Sequence, residues 1–362
     1  MKKNRRIVVK VGTKVITSRD RGLDADRVDG IAYQVEAVMA RGIDVILVTS
    51  GAIGAGMQVL NMKKRPSDIA SLQAAAAVGQ YHMMYLYGEF LKKRQYNVGQ
   101  ILLTQEDFND RKRYLNIKHT INALLKHKII PVINENDTVA TEEIKCGDND
   151  RLSSLVADLC EADLLILLTD VDGLLDSGGK LVREVPEVTA QVLKMGGRSH
   201  CDLGTGGMAT KLEAAKNVTT AGIDCVIANG KEDHIITKIV DGKTVGTRFA
   251  GKGDKALARK RWIAYSSRPK GTVSVDDGAV IALIEKNKSL LASGIVGVIG
   301  NFRAGDVISI SDKKDREIAK GVTNYSTHEL AKIKGLKTGA FKAVLGIKGP
   351  DEVIHKNNLV IL

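Results

Sequence analysis

Aromatic residues are scarce in this 362-residue chain, at 4% with a single tryptophan, Trp262. The core must therefore be built from Val, Ile, Leu and Ala, which suits a buried parallel sheet better than an aromatic-rich sandwich. Cysteine is also rare. Cys146, Cys160, Cys201 and Cys225 are scattered, with no C-x-x-C pair. That pattern argues against a zinc site and against a disulfide framework, and a reducing, cytoplasmic setting is expected. No apolar run approaches the roughly 18 residues of a membrane helix, so no membrane partner is expected. Met1–Arg6 has the charge of a signal-peptide start, but only Ile7, Val8 and Val9 follow before Lys10, so an apolar h-region is lacking. A Walker A loop is missing too. The only G-K-[ST] is Gly242-Lys243-Thr244, and Thr237 stands where the earlier glycine is required. Gly204-x-Gly206-x-x-Ala209 fits a dinucleotide fingerprint, with Asp224 beyond it. The preceding Arg198–Asp202 is polar rather than strand-like, so the context for nicotinamide binding is absent.

What is present is a run of alternating elements. Short branched apolar segments recur at Ile7–Val11, Ile43–Val48, Val98–Leu103, Ile129–Ile133, Leu164–Leu168 and Ile223–Ala228. Helical spacing fills Ala25–Ala40, Ile69–Leu91, Tyr114–Lys126, Leu152–Cys160 and Ala209–Ala221. This alternation predicts an α/β fold with a mainly parallel sheet. Pro131 is awkward inside a central strand, yet polar loop chemistry follows at once, so a strand is still expected there. Near residue 250 the pattern changes. Residues 251–268 are basic and read as a linker, dividing a 1–250 domain from a 269–362 domain. The latter has short alternating runs at Gly271–Val275, Gly294–Gly300, Asp306–Ile310 and Lys342–Gly346, and a compact, mainly β domain is expected. The net charge of +12 is read first as a solvated face. Half of it falls on Arg261–Leu362, with 16 Lys/Arg against 10 Asp/Glu.

Three glycine-rich turns stand where a ligand would be held. They are Lys10-Val11-Gly12-Thr13-Lys14, Thr49-Ser50-Gly51-Ala52-Ile53-Gly54-Ala55-Gly56, and Gly204-Thr205-Gly206-Gly207-Met208-Ala209-Thr210-Lys211. The last two open helices. One such turn means only a turn; three of them, two carrying lysines, point to an anion or phosphate site. Asn134-Glu135-Asn136-Asp137-Thr138 and Lys145-Cys146-Gly147-Asp148-Asn149-Asp150 add six Asn or Asp, more than two turns need. Asn and Asp can grip the ammonium and carboxylate of an amino acid. Thr169-Asp170 ends another strand, again on the edge where α/β folds bind ligands.

Val9–Thr13, Val48–Ile53, Val132–Asp137 and Gly204–Lys211 resemble the signatures of the glutamate 5-kinase family, a branch of the amino-acid kinases. The resemblance runs from about Ile7 to the C-terminus, and the later part resembles a PUA domain. It implies an amino-acid-kinase-like three-layer sandwich with a small PUA-like β-barrel domain. It implies ATP-dependent phosphorylation of the side-chain carboxylate of L-glutamate to L-glutamyl 5-phosphate, the first step of proline biosynthesis. By position, Lys10, Thr169, Asp170, Thr205, Gly206, Gly207, Met208, Ala209, Thr210 and Lys211 would bind ATP. Ser50, Asp137 and Asn149 would bind glutamate. Lys10 and Lys211 would stabilise the transferring phosphoryl group, with Asp148 or Asp150 orienting the lysines or assisting Mg²⁺; which carboxylates hold the metal is left open. The acceptor carboxylate has a pKa of ~4.3 and is already ionised, so no general base is needed. Backbone N–H groups at Gly12 and Gly51 would help offset the phosphate charge. The resemblance further implies proline as feedback inhibitor, a homo-oligomer, and hand-over of product to glutamyl-phosphate reductase. Two alternatives stand beside this reading. One is another acid or nucleotide kinase of the same fold. The other is an RNA-binding or RNA-modifying protein, which the basic C-terminus favours and the lack of an aromatic stacking platform opposes; RNA is not expected as a partner.

Overall fold

The computed structural model describes residues 5–18, 22–139, 149–197, 207–252, 269–346 and 349–362. The chain divides into two units between Lys255 and Ala256. Eight strands build the first: β1 (Arg6–Val11), β2 (Asp44–Thr49), β3 (Val98–Leu103), β4 (Ile130–Glu135), β5 (Leu164–Thr169), β6 (Glu184–Val185), β7 (Asp224–Asn229) and β8 (Thr247–Phe249). They lie in the order β3-β4-β2-β1-β5-β7-β8-β6. The stretch from β3 to β7 is parallel throughout, and β8 runs antiparallel to β7 with β6 beside it.

β1 and β5 are buried along their whole length, as central strands covered on both faces must be. Side-chain alternation sorts their residues between two layers. Ile7, Val9 and Val11 join Leu47, Ile166 and Leu168 in a core with helices Ala25–Met39, Ile69–Lys93 and Ile235–Val240. Lys10 has the opposite parity. It faces helices Asn149–Leu159 and Met208–Thr220, which pack on each other and against β1, β5 and β7. The result is the three-layer α/β sandwich read from the sequence.

All six expected strands and all five expected helices form. Two helices start three residues before their apolar pattern. Arg111–Lys126 begins at Asp110, whose side chain accepts from the Arg113 N–H and so caps the helix. Asn149–Leu159 opens with the polar Asn149-Asp150-Arg151 turn, which carries no periodicity. Pro131 fits because it sits opposite Gly99 of β3, one residue before β4 begins its ladder with β2 at Val132. Its missing N–H therefore interrupts no bond to β2.

Helices Ala52–Val59 and Ile69–Lys93 cross almost backbone to backbone. A Cβ on Gly56 would lie 1.7 Å from the Ala75 carbonyl oxygen, and one on Gly79 would lie 1.8 Å from that of Ala52. Only glycine permits this approach, and it brings Gln80 up beneath the C-terminal edge of the sheet.

The second unit carries β9 (Gly271–Val275), β10 (Ile295–Gly300), β11 (Val307–Ser311), β12 (Glu317–Val322) and β13 (Leu359–Ile361), ordered β10-β9-β11-β12-β13. Val273, Val275, Ile308, Ile310 and Ala319 anchor its separate core. One expectation is corrected here. Lys342–Gly346 is no extended run, because Phe341–Leu345 is a helix ended by Gly346 at φ +75°. Phe341 and Leu345 are four residues apart and pack on the core together, a helical and not a strand spacing.

Candidate active site

The C-terminal ends of β1, β2, β4 and β5 meet the starts of three helices on one edge of the first unit. Lys10, at the end of β1, and Lys211, in the first turn of Met208–Thr220, converge on Asp150. Lys10 Nζ lies 2.7 Å from Asp150 Oδ1, and Lys211 Nζ lies 3.0 Å from Oδ2. Asp150 is 0% exposed, Lys10 5% and Lys211 4%. Thr210 Oγ1 donates to the same Asp150 Oδ2 at 2.9 Å. Burial alone would raise the Asp150 carboxyl pKa, but the two ammonium groups outweigh it and hold it below the usual carboxylate range. One carboxylate against two lysines leaves a net positive charge at two helix N-termini, an arrangement that favours an anion.

The neighbouring side chain, Asn149, reaches the other way. Its Nδ2 lies 2.5 Å from the Thr49 carbonyl oxygen, 2.8 Å from Ser50 Oγ and 2.8 Å from Asn134 Oδ1. Asn134 Nδ2 in turn donates to Gln80 Oε1 at 2.7 Å. Gly51, at φ +106°, turns the chain from β2 into the Ala52–Val59 helix. The edge thus has a cationic half around Asp150 and an amide half around Asn149.

Other expected residues fall nearby or apart. Asp170 pairs with Lys14 at 3.0 Å on the exposed rim, with the Thr169 hydroxyl 3.3 Å from the Asp170 carboxylate. Gly207, Met208 and Ala209 form the start of the helix that carries Lys211. The Gly12 N–H, expected to face an anion, instead donates to the Leu168 carbonyl at 3.1 Å; a strand-end amide beside a free carbonyl completes the ladder. Asp137 is half-buried in a cavity of about 310 Å³, which Gln80, Tyr81, Gln100 and Glu135 also line. Burial pushes its pKa up to about 6, against the opposing pull of Arg65. Asp148, Thr205, Gly206, Cys146 and Cys201 lie outside the described residues. Cys160 and Cys225 are buried cysteines. The sequence reading did not single out Gln80 or Arg65, and it gave Lys14 and Asn134 only the shared role of their motifs. A lone glutamine in the Ala-rich stretch Ala74–Ala77-Val78-Gly79-Gln80 was the available signal.

A parallel sheet whose edge holds two buried lysines around one carboxylate, beside a chain of amides, suits a phosphate group next to a small polar ligand. The model of the Amino acid kinase family matches residues 5–229, and that of the PUA domain matches residues 271–345; the chain belongs to the amino acid kinase family. The relatives it is similar to are more particular. A glutamate 5-kinase from Caldanaerobacter subterraneus subsp. tengcongensis is 47% identical, over 99% of this chain and 98% of its own length. A glutamate 5-kinase from Citrifermentans bemidjiense is 42% identical, over 100% and 99%. Among solved structures, a carbamate kinase from Giardia lamblia superposes with a TM-score of 0.50 at 18% identity, covering 70% of this chain and 100% of its own, a likeness of fold.

Proposed function

We propose that this protein is a glutamate 5-kinase, transferring the terminal phosphoryl group of ATP to the side-chain carboxylate of L-glutamate to give L-glutamyl 5-phosphate, the opening step of proline biosynthesis. One observation carries the reading: consecutive residues, Asn149 and Asp150, tie the amide half and the cationic half into one site. ATP lies with its phosphates against Lys10, Lys211 and the start of Met208–Thr220, with Thr169 and Asp170 toward the nucleotide. Glutamate lies against Ser50, Gly51 and Asn149, with Asp137 toward its ammonium. Phosphoryl transfer is mostly positioning and charge neutralisation. Lys10 and Lys211 offset the repulsion between an anionic acceptor and a polyphosphate, and Asp150 orients both lysines.

Mg²⁺ belongs to the same reading. Among the described residues no three His, Cys, Asp or Glu cluster as metal ligands, and both Asp150 oxygens face lysines. These side chains do not make a protein cage for the ion, so it fits as a companion of the phosphates. The product is a labile acyl phosphate, which suits direct consumption by glutamyl-phosphate reductase. Proline as feedback inhibitor, a homo-oligomer and a cytoplasmic setting complete the proposal. So does a division into a kinase domain at 1–250, a basic linker at 251–268 and a PUA-like domain at 269–362. No helix among the described residues is long and apolar enough to cross a membrane.

The test is a coupled ADP-release assay across glutamate, aspartate, N-acetylglutamate, carbamate and UMP. Strong preference for glutamate is expected. Preference for any other acceptor would overturn the substrate assignment while leaving the fold untouched.

A further inference from the structure

We infer that Gln80 is a positioning residue for the glutamate half of the site: its side-chain carbonyl anchors the outer end of a chain of amides that reaches Ser50 and keeps the Ser50 hydroxyl placed to donate to the substrate. The inference rests on the reading of Ser50 and Asn149 as glutamate contacts.

An amide side chain has a donor end and an acceptor end, so fixing one end fixes the other. Gln80 is 8% exposed, and the glycine at position 79 lets its helix come close enough to place it under Asn134. Its Oε1 accepts from Asn134 Nδ2 at 2.7 Å. That engages the donor end of Asn134 and turns its Oδ1 to Asn149 Nδ2, at 2.8 Å. The same Asn149 nitrogen also reaches Ser50 Oγ at 2.8 Å and the Thr49 backbone carbonyl at 2.5 Å, so its two hydrogens are shared among three acceptors. A hydroxyl that accepts from an amide keeps its own hydrogen for another acceptor, and a substrate carboxylate is the acceptor this half of the site is built to meet. Were Asn134 reversed, its NH₂ would face the NH₂ of Asn149, donor against donor. The Thr49 backbone carbonyl, 2.5 Å from Asn149 Nδ2, holds the inner end of the chain against that state, and the carbonyl of Gln80 holds the outer end.

Only one half of the Gln80 amide takes part. Its Nε2 is buried with no hydrogen-bond partner among the described residues, and the residue lines the cavity that also holds Asp137. The role therefore needs an acceptor at this position and not an amide as such. This separates a directional role from simple packing.

Steady-state kinetics on the full chain test it with Gln80→Met, Gln80→Glu, Ser50→Ala and the Ser50→Ala/Gln80→Met double variant. Gln80→Met should raise the KM for glutamate about five- to tenfold, the range of one neutral hydrogen bond, with kcat and the ATP KM within about twofold. Gln80→Glu, which keeps an acceptor toward Asn134, should stay within about threefold of wild type. In the Ser50→Ala background Gln80→Met should add less than about twofold, because it acts through Ser50. If Gln80→Met does not fold, Gln80→Ala, which only widens the cavity, carries the same comparison. Full additivity with Ser50→Ala overturns the inference. So does a lowered Tm with an unchanged glutamate KM, or a Glu variant as impaired as Met. Those outcomes leave the kinase reading standing. A wild type without glutamate-dependent ADP release would remove that reading and this inference together.

Discussion

Asn149 and Asp150 are neighbours in the chain, yet their side chains bind opposite sides of one site. Asn149 Nδ2 is 2.8 Å from Ser50 Oγ, while the Asp150 oxygens meet Lys10 at 2.7 Å and Lys211 at 3.0 Å. Adjacent Cα atoms are about 3.8 Å apart, so one helix start ties the amide half and the cationic half together.

Removing one lysine of the pair should slow the transfer and leave the acceptor bound. Lys211→Ala is expected to lower kcat about 10²–10³-fold, as loss of one transition-state charge contact does, with the glutamate KM little changed. Turnover within about threefold of wild type would show that Lys211 plays no part in the chemistry.

Removing the carboxylate should act first on stability. Asp150→Asn leaves two buried ammonium groups without their counter-charge, at a cost of about 3–5 kcal/mol. ATP phosphates can take the place of that charge, so saturating ATP should raise the Tm of the variant by more than it raises that of wild type. Equal shifts in a thermal melt would place the nucleotide away from these lysines.

Asp137 predicts a pH dependence. Its pKa is pushed up to about 6 from an ordinary 3.8, so the folded state binds more protons than the unfolded state between those values. The stability this group contributes is present below pH 3.8 and lost as pH rises through about 6. Asp137→Asn should therefore melt roughly 1–3 °C higher than wild type at pH 7.5 and show no such advantage at pH 3.5. Glutamate binding has the opposite sign. The ionised carboxylate is the form that attracts an ammonium, so the wild-type glutamate KM should rise about tenfold from pH 7.5 to pH 5. A flat profile in wild type, or a raised ATP KM in the variant, would assign this loop to another ligand.

The second unit has its own core, and every residue given a chemical role ends by Lys211. A chain ended near Gly253 is expected to fold and to phosphorylate glutamate at the full-length rate within about threefold. RNA binding by the full chain, if found, should weaken steeply with salt, as phosphate contacts do. Salt-resistant, sequence-selective RNA binding with no glutamate-dependent ADP release from either chain would favour the nucleic-acid reading.

Much of this was legible in the sequence because it depends on local pattern. The branched runs gave the parallel strands, and the glycine turns marked the edge where Lys10, Ser50 and Lys211 stand. Asp150 was named beside Asp148 because spacing cannot tell what either carboxylate meets; Asp150 meets Lys10 and Lys211. Contacts between distant segments were harder to read. Gln80 lies 54 residues from Asn134, inside a helix whose other residues advertise only packing. Asp137 was grouped with Asn149 by motif density; the cavity it lines is shared with Gln80, which joins Asn149 through Asn134. The short β6 and β8 were missed because two or three residues carry no periodicity.

The ion trio also bears on the order of folding. Lys211 is 61 residues beyond Asp150, and Lys10 comes from the first strand, so three remote segments must close together before either lysine can be buried with its partner. Such non-local closure is slow, and a half-made trio gains little for the loop entropy it gives up. During synthesis Lys10 and Asp150 can already neutralise each other while Lys211 has yet to emerge, and the surplus positive charge does not exist until it does. Nucleotide binding should therefore be among the last properties recovered on refolding, trailing the circular-dichroism signal of the sheet.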